Sequence, residues 1–467
     1  LELAGKQVVV VGLARSGIAA AGFLARRGAR VVATDRRAAA ELQAEAMTLA
    51  ERGVRLELGG HRAETLTAAE LVVVSPGVPW DLPELVAARS AGVAVMAELE
   101  LGARHIRGPI AAVTGTKGKS TTTAALGAML REAGRDVRVA GNIGQAVTGL
   151  LDGATDETLF VLEVSSFQLE GTDTFHPKVA VFLNLSADHL DRHPSFEAYA
   201  AAKARIFANQ TSEDWAVINR DDLGVLERAN QTRARLVPFT TAPASHGASS
   251  SAFFRAGHAV LRLDGLEESL FPVSSVRLPG SHLLLDLLAA AAAARLMGAP
   301  ADAIARAVAE FQGIEHVLER VAEIEGVVFF NDSKATNVDA ARKSLEAFDR
   351  PVVAILGGRY KGGDFADLRA DLARRGRAVM AIGETRPRVA ADLASVLPVV
   401  LCDSLEEAVF RAFAAAQRGD VVLLAPACSS FDMFQDYADR GRAFKGAVRA
   451  LASRVAASPG RVPEREA

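Results

Sequence analysis

The chain has 467 residues, half of them hydrophobic and 23% charged, with a formal net charge of −3. That length suits about three domains with full cores, and the near-neutral charge argues against binding nucleic acid or an anionic membrane through the overall field. Two cysteines, Cys402 and Cys428, are too few for a disulfide framework and suit a reducing compartment. The opening residues Leu1 to Lys6 show no charged and then apolar export signal. The apolar stretch over 283–297 contains Asp286 and Arg295 and is too short for a bilayer. A cytoplasmic protein without membrane insertion is expected.

In chain order, Gln7-Val-Val-Val-Val-Gly12 predicts a strand, followed by Leu13-Ala-Arg-Ser-Gly17 and an alanine-rich helix to about Arg27. A second strand over 29–33 leads to Thr34-Asp35. Gly12-x-Ala14-x-x-Gly17 stands where a dinucleotide fingerprint has its glycines. Further strands are expected over 54–58, 71–74 and 93–95. The turn Ser75-Pro76-Gly77 lies at a strand's carboxyl end, where α/β sheets bind ligands. The segment stops without a second mononucleotide half, which weakens a dinucleotide reading.

The second segment, 99–312, carries the strongest signal. An apolar strand over 110–113 breaks into Gly115-Thr116-Lys117-Gly118-Lys119-Ser120-Thr121-Thr122 and then a helix. The two glycines let backbone N–H groups curl inward, the helix points its positive end at the same spot, Lys119 adds a mobile charge and Ser120 a hydroxyl for Mg2+. This is a triphosphate cradle, with two residues between its glycines instead of the usual four. Strands are expected over 160–164, 179–183, 214–218 and 236–239, a small polar excursion over 240–251, a hairpin over 259–263 and 269–273, and helices over 281–297 and 301–311. Glu163 ends an apolar strand, where a carboxylate calls for a partner, and Mg2+ is the natural one. Asp188, His189, Asp191 and His193 cluster in the turn after another strand, which suggests metal binding. Lys203 lies among alanines on a helix and reads from composition alone as a solvated lysine.

The third segment, 313–467, predicts strands over 327–330, 352–356, 378–382, 399–402 and 421–425 with helices between them: a second doubly wound sheet. Residues 456–467, rich in proline and charge, predict a frayed tail.

Several motifs together resemble the Mur ligases, ATP-dependent amide-forming enzymes of peptidoglycan synthesis. They are Gly115-Thr-Lys-Gly-Lys-Ser-Thr121, Glu163-Val-Ser-Ser-Phe-Gln-Leu-Glu170, Asp188-His-Leu-Asp-Arg192 with Lys203 downstream, Asn331-Asp-Ser-Lys-Ala-Thr-Asn337, and Pro426-Ala-Cys-Ser-Ser-Phe-Asp432. They span nearly the whole chain. The 331–337 string is similar to the branch that adds D-glutamate.

The resemblance implies an α/β protein of three domains. These are a Rossmann-like UDP-binding domain over 1–98, a central P-loop ATPase-like domain with a mostly parallel sheet over 99–312, and a Rossmann-like amino-acid-binding domain over 313–467. It implies D-glutamate addition to UDP-N-acetylmuramoyl-L-alanine through an acyl phosphate, with ATP as co-substrate and two Mg2+ ions, by a monomer. Lys119 would hold the β- and γ-phosphates. Ser120 and Glu163 would bind one Mg2+, with His189 and a carbamylated Lys203 at the other. Arg15, Ser16, Thr34, Asp35, Arg36, Ser75, Pro76 and Gly77 fall where the family binds UDP, and Asn142 near the acyl end of that substrate. Asp332 would face the ATP ribose. Lys334 and Thr336 would hold the D-glutamate carboxylates, with Lys361, Ser430 and Tyr437 beside them. Three domains that each contribute contacts imply a hinge, expected over 312–316.

Three positions depart from the family pattern. Lys117 replaces an asparagine, Leu283 and Asp286 stand where two ATP-binding asparagines are usual, and Val317 where an arginine is usual. Asp286 remains as an acceptor and Arg320 as a stand-in for the arginine. The alternatives are a Mur-type ligase for another amino acid, or a nucleotide- or dinucleotide-binding protein whose phosphate loop is incidental.

Overall fold

Apolar runs that end in glycine or polar turns build three sheets in the computed structural model, which describes residues 2–42, 44–189, 192–230, 232–242, 249–277, 281–360 and 362–457. Two compact units result: Leu1–Val276 with His282–Phe311, and Gln312–Ala467 with Arg277–Ser281. The first unit holds two sheets and the second holds one.

The first sheet contains β1 (Gln7–Val11), β2 (Arg30–Asp35), β3 (Arg55–Leu58), β4 (Leu71–Val74) and β5 (Ala94–Ala97), in the order β3-β2-β1-β4-β5. All pairings are parallel. Val8 to Val11 are completely buried because β1 is covered on both faces. Strand order reverses at β1, so the chain leaving β1 and the chain leaving β4 diverge and open a crevice. Gly12 and Ser75 line that opening, and the Ser75 hydroxyl donates to the Gly12 carbonyl at 2.7 Å. The helix Arg15–Arg26 starts there with its unpaired N–H groups toward the crevice.

The second sheet has nine strands: β6 (Ile110–Thr114), β7 (Val137–Gly141), β8 (Leu159–Glu163), β9 (Val179–Phe182), β10 (Trp215–Asn219), β11 (Arg235–Thr240), β12 (Ser251–Arg255), β13 (His258–Leu263) and β14 (Leu266–Pro272). Their order is β14-β13-β12-β11-β10-β9-β6-β8-β7. The sheet is parallel from β7 to β12 and closes with the antiparallel pairs β12–β13 and β13–β14. β6 lies between β8 and β9, which puts the phosphate loop beside the carboxyl ends of both. The helix Ser281–Leu296 lays Ala289 to Ala294, all fully buried, against the core. Among the described residues no helix is long and apolar enough to cross a membrane.

The third sheet, β15 (Glu319–Ile324), β16 (Val327–Asn331), β17 (Val352–Gly357), β18 (Gly376–Ile382), β19 (Val399–Leu401) and β20 (Val421–Leu424), runs β15-β16-β20-β17-β18-β19, parallel except for β15. Asn331 is in register with Leu424, so the loops that begin at Asp332 and Ala425 leave adjacent strand ends.

Three strands depart from expectation. β7 and β15 are edge strands whose arginines and glutamates hide the strand pattern. β12 begins at Ser251, where a polar surface stretch is expected. Within that stretch 243–248 lie outside the described residues, as do 458–467 of the expected tail. The helix Tyr437–Ala457 extends into the start of that tail.

Gly17 sits where the first helix meets the β1 turn: a Cβ there would lie 1.7 Å from the Gly12 carbonyl oxygen. Gly17→Ala is therefore expected to destabilise the first unit by about 1–3 kcal/mol or more, read as a lowered thermal midpoint. A wild-type midpoint would contradict this packing.

Candidate active site

The phosphate loop is shaped by its glycines. Gly118 adopts the left-handed conformation (φ 79°) just before the helix Lys119–Glu132, and a Cβ there would meet an Asp286 carboxylate oxygen at 2.2 Å. The backbone of Lys117 is clamped by Asn184, whose side chain accepts from the Lys117 N–H at 2.8 Å and donates to its carbonyl at 3.1 Å. Lys119 Nζ folds back onto the carbonyls of Gly115 (3.0 Å) and Thr116 (2.9 Å). The Thr116 hydroxyl meets that of Tyr199 at 3.0 Å. Ser120 opens the helix, and Thr121 and Thr122 are buried behind it.

Lys203 is not the solvated lysine its composition suggests. It is 2% exposed, donates to the Gly115 carbonyl at 2.7 Å and lies 4.8 Å from the centre of the Tyr199 ring. Burial, reinforced by Lys119, lowers its pKa to about 7. Tyr199 is pushed to about 12, chiefly by burial. His189 flanks the same ring at 6.5 Å, with its own side chain half exposed.

Glu163, 1% exposed, accepts from Asn142 Nδ2 at 2.7 Å through Oε1, while Oε2 is buried without a hydrogen-bond partner. An unpaired carboxylate oxygen one strand from a phosphate loop with a serine at its helix start fits Mg2+. That ion takes one or two carboxylates and completes its shell with phosphate oxygens and water. Asp188, His189 and His193 do not converge as a metal site: among the described residues no three His, Cys, Asp or Glu side chains meet at one point. His193 is buried, stacks on Phe167 at 5.3 Å and shares a 3.0 Å hydrogen bond with the Ser166 hydroxyl; Asp191 lies outside the described residues. His193 is therefore a packing residue, whereas Asp188 and His189 are open to solvent.

Arg192 stands out only in three dimensions. Its guanidinium crosses Phe167 (4.6 Å) and donates to the carbonyls of Gly77 and Val78, both at 3.3 Å. It thus ties the loop after β9 to the turn after β4. Two clefts flank this turn. One is bounded by Arg15, Ser16, Pro76, Gly77 and Asn142, and Arg15 reaches the Asn142 carbonyl at 3.4 Å. The other is bounded by Asp35, Arg36, His61, Ser75 and Leu82. Asp35 in the second cleft is already engaged: its oxygens accept from the Leu13 N–H at 2.7 Å and from Arg37. Those bonds outweigh burial and hold its carboxyl at about 2. Thr34 is buried beside it.

The second unit gathers its own cluster. Asp332 is 7% exposed and accepts from the Ser344 hydroxyl; burial raises its pKa to about 6. Lys334 is exposed and Thr336 half-buried, while Ser430 is buried. Tyr437 sets its ring edge-on to His316. Lys361 lies outside the described residues. Arg320 pairs with Glu323 at 2.8 Å and lines a cleft with Arg277 and Arg350. Beneath the cluster Arg440, 1% exposed, donates to the Ser333 hydroxyl (2.9 Å), the Ser333 carbonyl (2.9 Å) and the Cys428 carbonyl (3.2 Å). One buried guanidinium thus joins the loops after β16 and β20, a role that no spacing in the chain reveals.

Three family descriptions match successive parts of the chain: the Mur ligase MurD-like N-terminal domain over residues 6–97, the Mur ligase middle domain over 113–294, and the Mur ligase glutamate ligase domain over 318–428. The chain belongs to the Mur ligase family, three-domain α/β proteins with mostly parallel sheets. Among its relatives, the UDP-N-acetylmuramoylalanine--D-glutamate ligase of Acidobacterium capsulatum is 47% identical over 460 residues, covering 98% of this chain and 99% of the relative. The ligase of the same name from Koribacter versatilis is 42% identical over 452 residues, 97% of this chain and 99% of that one. Solved structures share the fold. The UDP-N-acetylmuramate-alanine ligase MurC from Thermotoga maritima superposes with a TM-score of 0.58 at 19% identity, over 96% of this chain and 100% of that one. The MurF ligase from the same organism, in complex with ADP, gives 0.56 at 17%, over 97% of each.

Asp286, where the family pattern has asparagine, sits beneath Gly118 with its carboxyl raised to about 7, burial outweighing the opposing influence of Thr122. A group protonated in the folded state and ionised when unfolded loses stability as pH rises from about 4 through 7. Asp286→Asn removes that loss. Its gain in thermal midpoint should be larger at pH 8 than at pH 5, by several degrees, since about 1 kcal/mol moves the midpoint roughly 2–4 °C in a unit this large. An equal gain at both pH values would refute the assignment.

Proposed function

We propose that this protein is an ATP-dependent ligase that adds D-glutamate to UDP-N-acetylmuramoyl-L-alanine, acting in the cytoplasm as a monomer in peptidoglycan precursor synthesis. The observation that carries the reading is Glu163. One of its oxygens is bonded to Asn142 at the edge of a first-domain cleft, and the other is unpaired on the strand beside the phosphate loop. A carboxylate-bearing nucleotide substrate and a triphosphate are thereby brought to one place.

A carboxylate does not condense with an amine at neutral pH until it has a better leaving group. The substrate carboxylate attacks the γ-phosphorus of ATP, forming an acyl phosphate and releasing ADP. The D-glutamate amine then attacks the acyl carbon, loses its proton and expels phosphate. Lys119 and the backbone N–H groups of residues 115–122 hold the phosphates, with Asp332, Asp286 and Arg320 assigned to the nucleotide. Ser120 and Glu163 would hold one Mg2+, and His189 with Lys203 the second. When bound, these ions offset the charge of phosphate and carboxylate brought together. Arg15, Ser16, Thr34, Arg36, Ser75, Pro76 and Gly77 bind the UDP part, with Asp35 shaping the turn that opens their cleft, and Asn142 orients its acyl end. Lys334, Thr336, Lys361, Ser430 and Tyr437 hold D-glutamate.

Lys203 supports the second ion only after its charge is inverted. Its amine, buried between the Gly115 carbonyl and the Tyr199 ring, attacks CO2, and the new carbamate gives up one proton and becomes an anionic oxygen ligand. His189 on the other flank of Tyr199 supplies a neutral nitrogen.

Three experiments test the reading. With UDP-N-acetylmuramoyl-L-alanine and ATP, phosphate release should be highest with D-glutamate. Lys119→Ala should lower turnover by about 10²–10³ or more, the loss typical of a charge-stabilising donor, while UDP-substrate binding persists. Release that is equal for D-glutamate, L-glutamate and a diamino acid would refute the specificity. Lys203→Ala should be largely inactive and regain part of its activity with millimolar acetate, whereas a fully active variant would remove the carbamate.

A further inference from the structure

His61 has no part in the expectations above, yet it lines the cleft at the β1–β4 opening together with Val78, Pro79 and Leu82. The loop that carries it is pinned. The N–H groups of Gly59 and Gly60 both donate to the Asp35 carbonyl, at 3.0 and 3.1 Å. The ring is half-buried at a fixed distance from Thr34, itself fully buried.

The hydrogen bonds around Thr34 determine which ring nitrogen carries the proton. Thr34 Oγ1 lies 2.9 Å from the Gly60 carbonyl oxygen and 3.0 Å from His61 Nδ1. A carbonyl only accepts, and two oxygens at 2.9 Å repel unless a proton lies between them. The single Thr34 hydroxyl proton therefore goes to Gly60. Thr34 can offer His61 only a lone pair, so Nδ1–H donates to it. A neutral imidazole carries one N–H, which leaves Nε2 as an acceptor. Nε2 has no hydrogen-bond partner among the described residues. Burial keeps the ring below the usual histidine range, with Arg36 in the same direction and Glu84 and Asp35 opposing. The other acceptor at this cleft, Asp35, is already taken by Leu13 and Arg37.

The cleft thus combines apolar walls that suit a flat heterocycle with one fixed, uncharged acceptor at its rim. Uracil presents an imide N–H at ring position N3, whereas cytosine presents a lone pair at the same position. We propose that His61 is a specificity-determining residue that accepts the uracil N3–H through Nε2 and rejects cytosine by opposing lone pairs. This rests on the reading that the first-domain cleft takes the uridine end of the substrate, and names the atom that distinguishes uridine from cytidine.

The test measures UDP and CDP binding to the full-length chain by calorimetry, with a non-hydrolysable ATP analogue as a control for the phosphate loop. Wild type should prefer UDP by about tenfold to a hundredfold, the effect of leaving one polar group in a site unpaired. His61→Phe keeps the ring volume and removes the acceptor. It should bring the UDP-to-CDP ratio close to one, by weakening UDP, tightening CDP or both, and bind the ATP analogue normally. A UDP-to-CDP ratio unchanged in His61→Phe overturns the role of His61 while the uridine cleft stands. Failure of wild type to bind UDP overturns both. Independently of any variant, 15N NMR of the wild-type histidine should find the ring proton on Nδ1, and a proton on Nε2 overturns the proposal.

Discussion

Two ammonium groups converge on one carbonyl oxygen, and much of the first unit is arranged around that contact. Lys119 and Lys203 both donate to Gly115, although like charges at such distances repel. The arrangement is tolerable because burial drives Lys203 toward its neutral form and because the oxygen has two lone pairs to share. It gathers two basic side chains at the phosphate loop, Lys119 carrying its charge, in a chain whose net charge is slightly negative. The supporting parts follow from this need: Asn184 clamps the loop backbone, Tyr199 caps Lys203, and Asn142 restrains one oxygen of Glu163 while the other stays open.

The second unit meets a similar requirement by a different route. The loops after β16 and β20 leave neighbouring strands, and a buried arginine joins their backbones. Removing a guanidinium from water is costly unless its donors are matched. Arg440 is matched by two carbonyls and a hydroxyl, and burial still lowers its pKa to about 10. Spending that stability on a loop junction fits a site where the loops must keep a fixed spacing.

In the cleft at the β1–β4 opening, the available acceptor is set by hydrogen-bond direction more than by charge. Asp35 is the residue that a sequence reading singles out after β2, but its carboxylate is turned toward Leu13 and Arg37. It shapes the turn that opens the cleft. The open acceptor belongs to His61, on the loop after the neighbouring strand β3, and its tautomer follows from a threonine proton committed elsewhere.

Sequence by itself determined the strands with continuous apolar runs, because a parallel strand covered on both faces must be apolar throughout. It also determined the phosphate loop, since glycines, lysine and serine at fixed spacing between strand and helix are a local chemical requirement, and the family motifs carried the reaction class with them. Edge strands β7 and β15 were not legible, because half-exposed strands with charged residues have no distinct period. The state of Lys203, the packing role of His193, the bridges made by Arg192 and Arg440, and the proton on His61 were decided only by tertiary structure. Each depends on what residues distant in the chain place beside it: a carbonyl 88 positions away for Lys203, an aromatic face for His193, the commitment of one hydroxyl proton for His61. Burial and hydrogen-bond partnership are properties of neighbours in space, and those neighbours exist only once the sheets have formed.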